Sequence, residues 1–196
     1  GLIDLHVHLP QYESEAMDGL ELLPWLKTHI FPAEARFADA DMAKSAARRF
    51  FSDLLSLGTT TAVVYSTIHP EATDAAFGVA ESCGIRCAMG KMMMDQNAPE
   101  ALSESTETSL EQSAELIQQW HGKADGRLMY ALAPRFAPMC SPALMRGVGA
   151  LSEKTGAYIQ THLAENLDEI AWVGKLFPPR ANYTDVYRHH GMLNAR

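Results

Sequence analysis

Strand-like and helix-like segments alternate five times along this chain, and that alternation limits its fold more than any other feature. Leu2 to His8 is apolar at Leu2, Ile3, Leu5 and Val7 and predicts an extended, buried strand. Thr59 to Thr67 is rich in β-branched residues, and Arg86 to Met94, Leu128 to Ala133 and Tyr158 to Leu163 supply three more strands. Asp39 or Asp41 can cap a helix that runs to about Leu57 and stops at Gly58. Pro70 to about Cys83 is helical and stops at Gly84, and Thr106 to about His121 follows. Ser141 caps a helix that opens on Pro142 and stops at Gly156. Asn166 to Lys175 and Tyr183 to His190 read as two more. Pro10 to about Asp39 is expected to be mostly irregular, the usual character of a lid or substrate loop. Such alternation implies parallel strands joined by right-handed crossovers. An open doubly wound sheet and a (β/α)8 barrel both satisfy it.

No GxGxxG or GxxxxGK[ST] follows any strand, which weakens the nucleotide-binding versions of the open sheet. His8, His69, Asp95, Arg135 and His162 fall at carboxyl ends of different strands, where a barrel keeps its active site. Five units are not eight, and a barrel needs about 250 residues, whereas the chain has 196. It also opens directly on a strand without an initiating Met. The expectation is therefore one partial barrel over residues 1–196 that covers strands one to five, with its N-terminus cut and its end before a sixth strand.

Apolar content of 47% and charge of 20% suit a soluble globular protein. No run of 18 apolar residues predicts a membrane span, and no signal peptide is evident. A net charge of −8 argues against binding a nucleic-acid backbone. Three cysteines, Cys83, Cys87 and Cys140, lack CxxC spacing and read as reduced thiols of a cytoplasmic protein.

Residues two apart in a strand share a face, so Asp4, His6 and His8 project together. Two imidazoles at a strand end suit a divalent metal such as zinc, although a bare HxH also occurs as two polar residues without a ligand role. His162 on the fifth strand offers a third nitrogen, and Glu165, past the strand end, can overhang the ion as an acid–base group. Arg135 beside Phe136 can grip a planar acceptor while the ring stacks on it; it can equally bind a loop carbonyl. Gln11 offers a donor and an acceptor to a heterocycle edge. His69, His121, His189 and His190 read as structural or surface residues, Met92, Met93 and Met94 as strand core, and Asp168 and Glu169 as a solvated first helical turn. No Lys occupies the fourth strand to carry a bridging carbamate, so one metal ion is favoured over two.

The segments GLIDLHVHLPQY, TTTAVVYSTIHPEATDAAF, KMMMDQNAPEAL, LAPRFAP and THLAENLDEIAWV resemble the guanine deaminases of the amidohydrolase superfamily, over essentially the whole chain. HxH alone indicates only the superfamily; Gln11, the NAPE block, Arg135-Phe136 and HLAEN narrow it. The resemblance implies a metal-dependent (β/α)8 barrel with a small β-sandwich. It implies His6, His8 and His162 as ligands of one Zn2+ (Fe2+ being the alternative), Glu165 as proton shuttle, and Gln11, Arg135 and Phe136 as the purine's contacts. Guanine would lose its exocyclic amine as ammonia and leave as xanthine, in purine catabolism. A homodimer is implied for the full-length enzyme. The family also requires a His on strand six and an Asp on strand eight, neither of which is assignable here, so residues 1–196 alone are expected to be inactive. A triazine or other purine aminohydrolase, and a metal-binding remnant without catalysis, are the competing readings. Zinc deaminases of the H-x-E, P-C-x-x-C type are excluded by the missing CxxC.

Overall fold

The computed structural model describes residues 1–14, 19–178 and 180–194. Its strands are β1 (Leu2–His8), β2 (Thr59–Tyr65), β3 (Arg86–Gly90), β4 (Met92–Met93), β5 (Leu128–Pro134) and β6 (Tyr158–Ile159). Every pairing among them is parallel: β1 with β2, β2 with β3, both β3 and β4 with β5, and β5 with β6. Met89 lies opposite Tyr130 and Met92 opposite Ala133, so β3 and β4 are successive pieces of one interrupted strand. Spatial order then follows chain order throughout. A doubly wound sheet reverses its winding at a switch point; no reversal exists among the described strands. The winding is that of a barrel.

The interruption falls at Lys91, where the sequence predicts an unbroken strand to Met94. The Lys91 side chain is fully buried, with Nζ 2.6 Å from Glu104 Oε1 and 3.4 Å from the Met92 carbonyl oxygen. Its N–H donates to the Tyr130 hydroxyl at 3.2 Å. A buried ammonium needs such partners, and reaching them takes the residue out of the ladder. Gly90 is required just before it, because a Cβ there would lie 1.8 Å from the Ala131 carbonyl oxygen.

Helices return the chain after each strand, and their ends follow local chemistry. Asp39 accepts from the N–H groups of Asp41 and Met42, Ser105 from that of Thr108 and Ser141 from that of Leu144, which satisfies donors that a helix start leaves free. Gly84 ends the helix Pro70–Cys83 in the left-handed region. Helices Ala40–Ser56, Pro70–Cys83, Thr106–Trp120 and Pro142–Thr155 bury Phe51, Phe77, Ile117 and Leu144 with the strand residues Val64, Cys87 and Leu128 in one core. Phe77 stacks on Trp120 at 5.2 Å, a geometry worth about 1 kcal/mol beyond its area. A second apolar cluster, with Leu26, Ile30, Phe31, Tyr65, Met92, Met94 and Phe136, sits at the carboxyl ends of the strands. Among the described residues no helix is long and apolar enough to cross a membrane.

Three further expectations are corrected. β1 is not buried: Leu2, Ile3 and Leu5 are 64%, 64% and 71% exposed, because β1 pairs with β2 alone among the described strands. The stretch after His8 is largely helical where described, through Leu22–Trp25, Leu26–Ile30, Phe31–Ala35 and Arg36–Ala38; residues 15–18 of the expected irregular stretch lie outside the described residues. Leu26, Ile30 and Phe31 bury one side of it. Pro32, which has no N–H, does not break it; the turn before it widens so that the Phe31 N–H reaches the Leu26 carbonyl. The fifth strand is only Tyr158–Ile159, and the chain beyond keeps contact with its neighbour through Gln160 N–H to Leu132 O and His162 N–H to Arg135 O.

Candidate active site

A cavity of about 490 Å³ opens at the carboxyl ends of the strands, and His6, His8, Gln11, Arg135, Phe136, His162 and Glu165 all line it. These seven residues come from three separate stretches of chain, 6–11, 135–136 and 162–165, joined by the winding of the sheet. Asp4 does not join them as parity alone predicts. β1 slips register against β2 between Asp4 and Val7, and the Asp4 carboxylate turns back to accept the His6 N–H at 3.0 Å.

The three imidazoles converge on one point. His6 Nε2 lies 3.2 Å and His162 Nε2 3.0 Å from His8 Nε2, and one nitrogen of each ring falls within 4.8 Å of the other two. His162 and His8 are oriented by different means. His162 Nδ1–H donates to the Arg135 carbonyl at 2.7 Å, which leaves Nε2 as the free lone pair. His8 Nδ1 is buried with no hydrogen-bond partner among the described residues. Its orientation comes from Tyr65, whose ring stacks on it at 4.5 Å and 11° and also approaches His6 at 4.8 Å and His162 at 4.6 Å.

Burial fixes the charge state. It lowers the pKa of His8 well below the ordinary imidazole value, and neighbouring positive groups on His162, Arg135 and His6 lower it further. The same desolvation takes His162 down to about 3, against an opposing contribution from its bond to the Arg135 carbonyl. His6 is lowered by burial and partly restored by Asp4. Three neutral imidazoles aiming lone pairs at one point repel one another unless a cation lies between them. A tetrahedral zinc with bonds of about 2.0–2.1 Å sets its nitrogens roughly 3.3–3.4 Å apart, close to the 3.2 and 3.0 Å that separate His8 Nε2 from the other two rings. The donor set fits a single borderline-soft divalent ion.

Glu165 lines the same cavity as the rings, and its backbone is set by two devices. Ala164 takes φ +56°, a left-handed conformation that turns the chain between His162 and Glu165. Glu169 then accepts the N–H groups of Glu165 at 2.8 Å and Asn166 at 3.2 Å through Oε2, and the Tyr183 hydroxyl at 2.7 Å through Oε1. Burial, and secondarily the charge of Glu169, raise the Glu165 pKa, while Arg135 lowers it. The expectation that Glu169 is solvated is corrected: it is fully buried. Its place three residues after Asn166 forms a capping box for the helix Leu167–Leu176, a pattern readable in the sequence. Tyr65 gave no such signal.

Arg135 is nearly buried, at 2% exposure, and its Nη1 lies 2.5 Å from Glu34 Oε2. Of the two roles open to it from sequence, neither anticipates this carboxylate. The loop after Phe136 is clamped from the start of the NAPE block and the residue before it: Gln96 donates to the carbonyls of Pro138 and Cys140, and Asn97 to that of Pro138. Asp95 lies outside the cavity and binds the Ser141 N–H and hydroxyl and the Thr106 hydroxyl.

A family model described as the amidohydrolase family matches residues 1–195. The guanine deaminase of Escherichia coli (strain K12) is 45% identical over 193 residues, covering 98% of this chain and 44% of its own. The guanine deaminase of Homo sapiens is 36% identical over 196 residues, covering 98% and 43%. The crystal structure of guanine deaminase from C. acetobutylicum with bound guanine in the active site superposes with a TM-score of 0.93 at 40% identity, over 96% of this chain and 45% of that one. The chain thus spans less than half the length of the curated relatives it matches.

Proposed function

We propose, for a chain that belongs to the amidohydrolase family, that its residues form part of a zinc-dependent guanine deaminase releasing ammonia and xanthine. One observation carries the reading: three imidazole nitrogens within 4.8 Å of one another share a cavity with Glu165 and with Gln11, Arg135 and Phe136. His6, His8 and His162 would hold the ion. A bound divalent ion of this kind lowers the pKa of a coordinated water to about 7 and so makes a nucleophile available at neutral pH.

The remaining steps belong to the chain's own groups. Phe136 offers a flat apolar wall to a planar ring, and Arg135 and Gln11 offer directional hydrogen bonds to its edge. Water adds to the ring carbon that bears the exocyclic amine, the C–N bond breaks, and one water and one guanine become one xanthine and one ammonia. Glu165 delivers a proton to a ring nitrogen as water adds. Its raised pKa suits that task, since a catalytic acid works best with its pKa near the operating pH. The neutrality that burial enforces on His8 and His162 keeps their lone pairs available to the ion.

The test is ammonia release from guanine by the complete natural polypeptide that contains these residues, with melamine and adenosine as rival substrates. Stoichiometric xanthine, lost on chelation and restored by zinc, supports the reading. Turnover of melamine or adenosine in preference to guanine overturns it.

A further inference from the structure

The pairing of Arg135 with a second buried charge has no part in the chemistry above. Glu34 comes from the short helix Phe31–Ala35, distant in sequence, and is 0% exposed. Its Oε2 meets Arg135 Nη1 at 2.5 Å, while Oε1 is buried with no hydrogen-bond partner among the described residues. The Phe31 ring from the same helix lies 5.0 Å from the guanidinium carbon, so a single turn supplies both a carboxylate and an aromatic face to one cation. Arg135 lines the cavity; Glu34 sits behind it.

A guanidinium cannot shed its proton in a protein. Left alone in a buried pocket it would favour any ligand able to neutralise it, a carboxylate or an anionic ring before a neutral one. Paired with Glu34 it keeps its directional N–H groups but contributes no net charge. We propose that Glu34 is a positioning and specificity-determining residue, which neutralises and aims Arg135 so that the cavity selects a neutral heterocycle over an anionic one. This inference rests on the purine reading of the cavity, and deepens it.

Equilibrium dialysis of the complete polypeptide tests it with two probes. Hypoxanthine is a neutral purine without an exocyclic amine to lose, and urate is a purine that is anionic at neutral pH. In Glu34→Gln the ratio of urate Kd to hypoxanthine Kd should fall about tenfold or more, because an uncompensated buried cation now faces the ligand. A ratio within about twofold of wild type, in a variant with a native far-ultraviolet spectrum, overturns the proposal. If Glu34→Gln does not fold, Glu34→Gln with Arg135→Gln removes both charges and decides the matter. Its ratio should stay near wild type while both purines bind more weakly, and a tenfold change would show that charge balance is not the determinant. Wild-type protein that binds neither purine refutes the purine reading instead. In that event urate bound by Glu34→Gln alone still supports the charge role, and urate bound by neither protein refutes it.

Discussion

Glu169→Ala removes the one carboxylate that holds Glu165 in place without touching the cavity. It leaves three donors unpaired: the N–H groups of Glu165 and Asn166, and the Tyr183 hydroxyl. Tyr183 is buried, and its hydroxyl would keep only the 3.5 Å bond it accepts from Tyr187, so its unpaired donor costs about 2 kcal/mol. The two amides lie nearer solvent, and losing their cap adds about 1 kcal/mol. A total near 3 kcal/mol should appear in denaturant unfolding. Tyr183→Phe, which loses the bond to Glu169 and the long contact from the Tyr187 hydroxyl, should cost about 1 kcal/mol. Freed of its cap, the Glu165 backbone shifts, and an error of about 1 Å at a reacting group lowers kcat by about 10²-fold. Hydrogen exchange gives the local readout, with the amides of Glu165 and Asn166 losing protection ahead of the strands. The isosteric Glu169→Gln adds a signed prediction. The charge of Glu169 is the second cause that raises the Glu165 pKa, after burial, so removing it moves the limb of the pH–rate profile that belongs to Glu165 to lower pH. A destabilisation under 1 kcal/mol, together with kcat within threefold of wild type for Glu169→Ala, would refute this account of how Glu165 is positioned.

Glu165→Gln should lower kcat by roughly 10²–10⁴-fold with folding intact, as expected for a lost acid–base group; a near-normal rate removes Glu165 from the chemistry. Chelation should abolish turnover and lower the unfolding midpoint, and zinc at about 100 times its Kd should restore about 2.7 kcal/mol of stability, measured by denaturation with and without the ion. Gly90→Ala should cost more than about 4 kcal/mol, since its Cβ meets the Ala131 carbonyl oxygen. Gly78→Ala, in open space on a helix, should instead add about 0.5–1 kcal/mol, and the two midpoints should move in opposite directions. Gln11→Ala should relax discrimination among purines more than it lowers kcat, read as kcat/KM across a substrate series.

The strand–helix alternation and the placing of His6 and His8 together on one strand were legible from the sequence because both rest on short-range rules; the choice of a barrel over an open sheet came from the resemblance to a family. Strand parity and the caps at Asp39 and Ser141 act over two to four residues, and the structure places those helix starts where the capping residues stand. What the sequence concealed depends on contacts across the fold. Pro24 and Pro32 read locally as breakers, yet the apolar side formed by Leu26, Ile30 and Phe31 has a surface to pack on and keeps that stretch helical. Lys91 looks like an ordinary strand residue until its partner Glu104 is seen. Glu34 carries no motif, and its meaning appears only where its helix meets Arg135. Glu169 is the exception: its capping box was written in the sequence, but an acidic first turn more often faces water.

His8 and His162 meet although 154 positions separate them along the chain. Closing a loop of that length costs roughly 4 kcal/mol of chain entropy by logarithmic scaling. β1, which carries two of the three imidazoles, is tied to the rest of the sheet only through β2 among the described strands. An ion gripped by all three rings would therefore act as a clasp, fastening the first strand to the segment after β6 much as a crosslink shrinks the unfolded ensemble. Removing such an ion should then loosen β1 before β2 or β5, each of which is paired on both sides among the described strands.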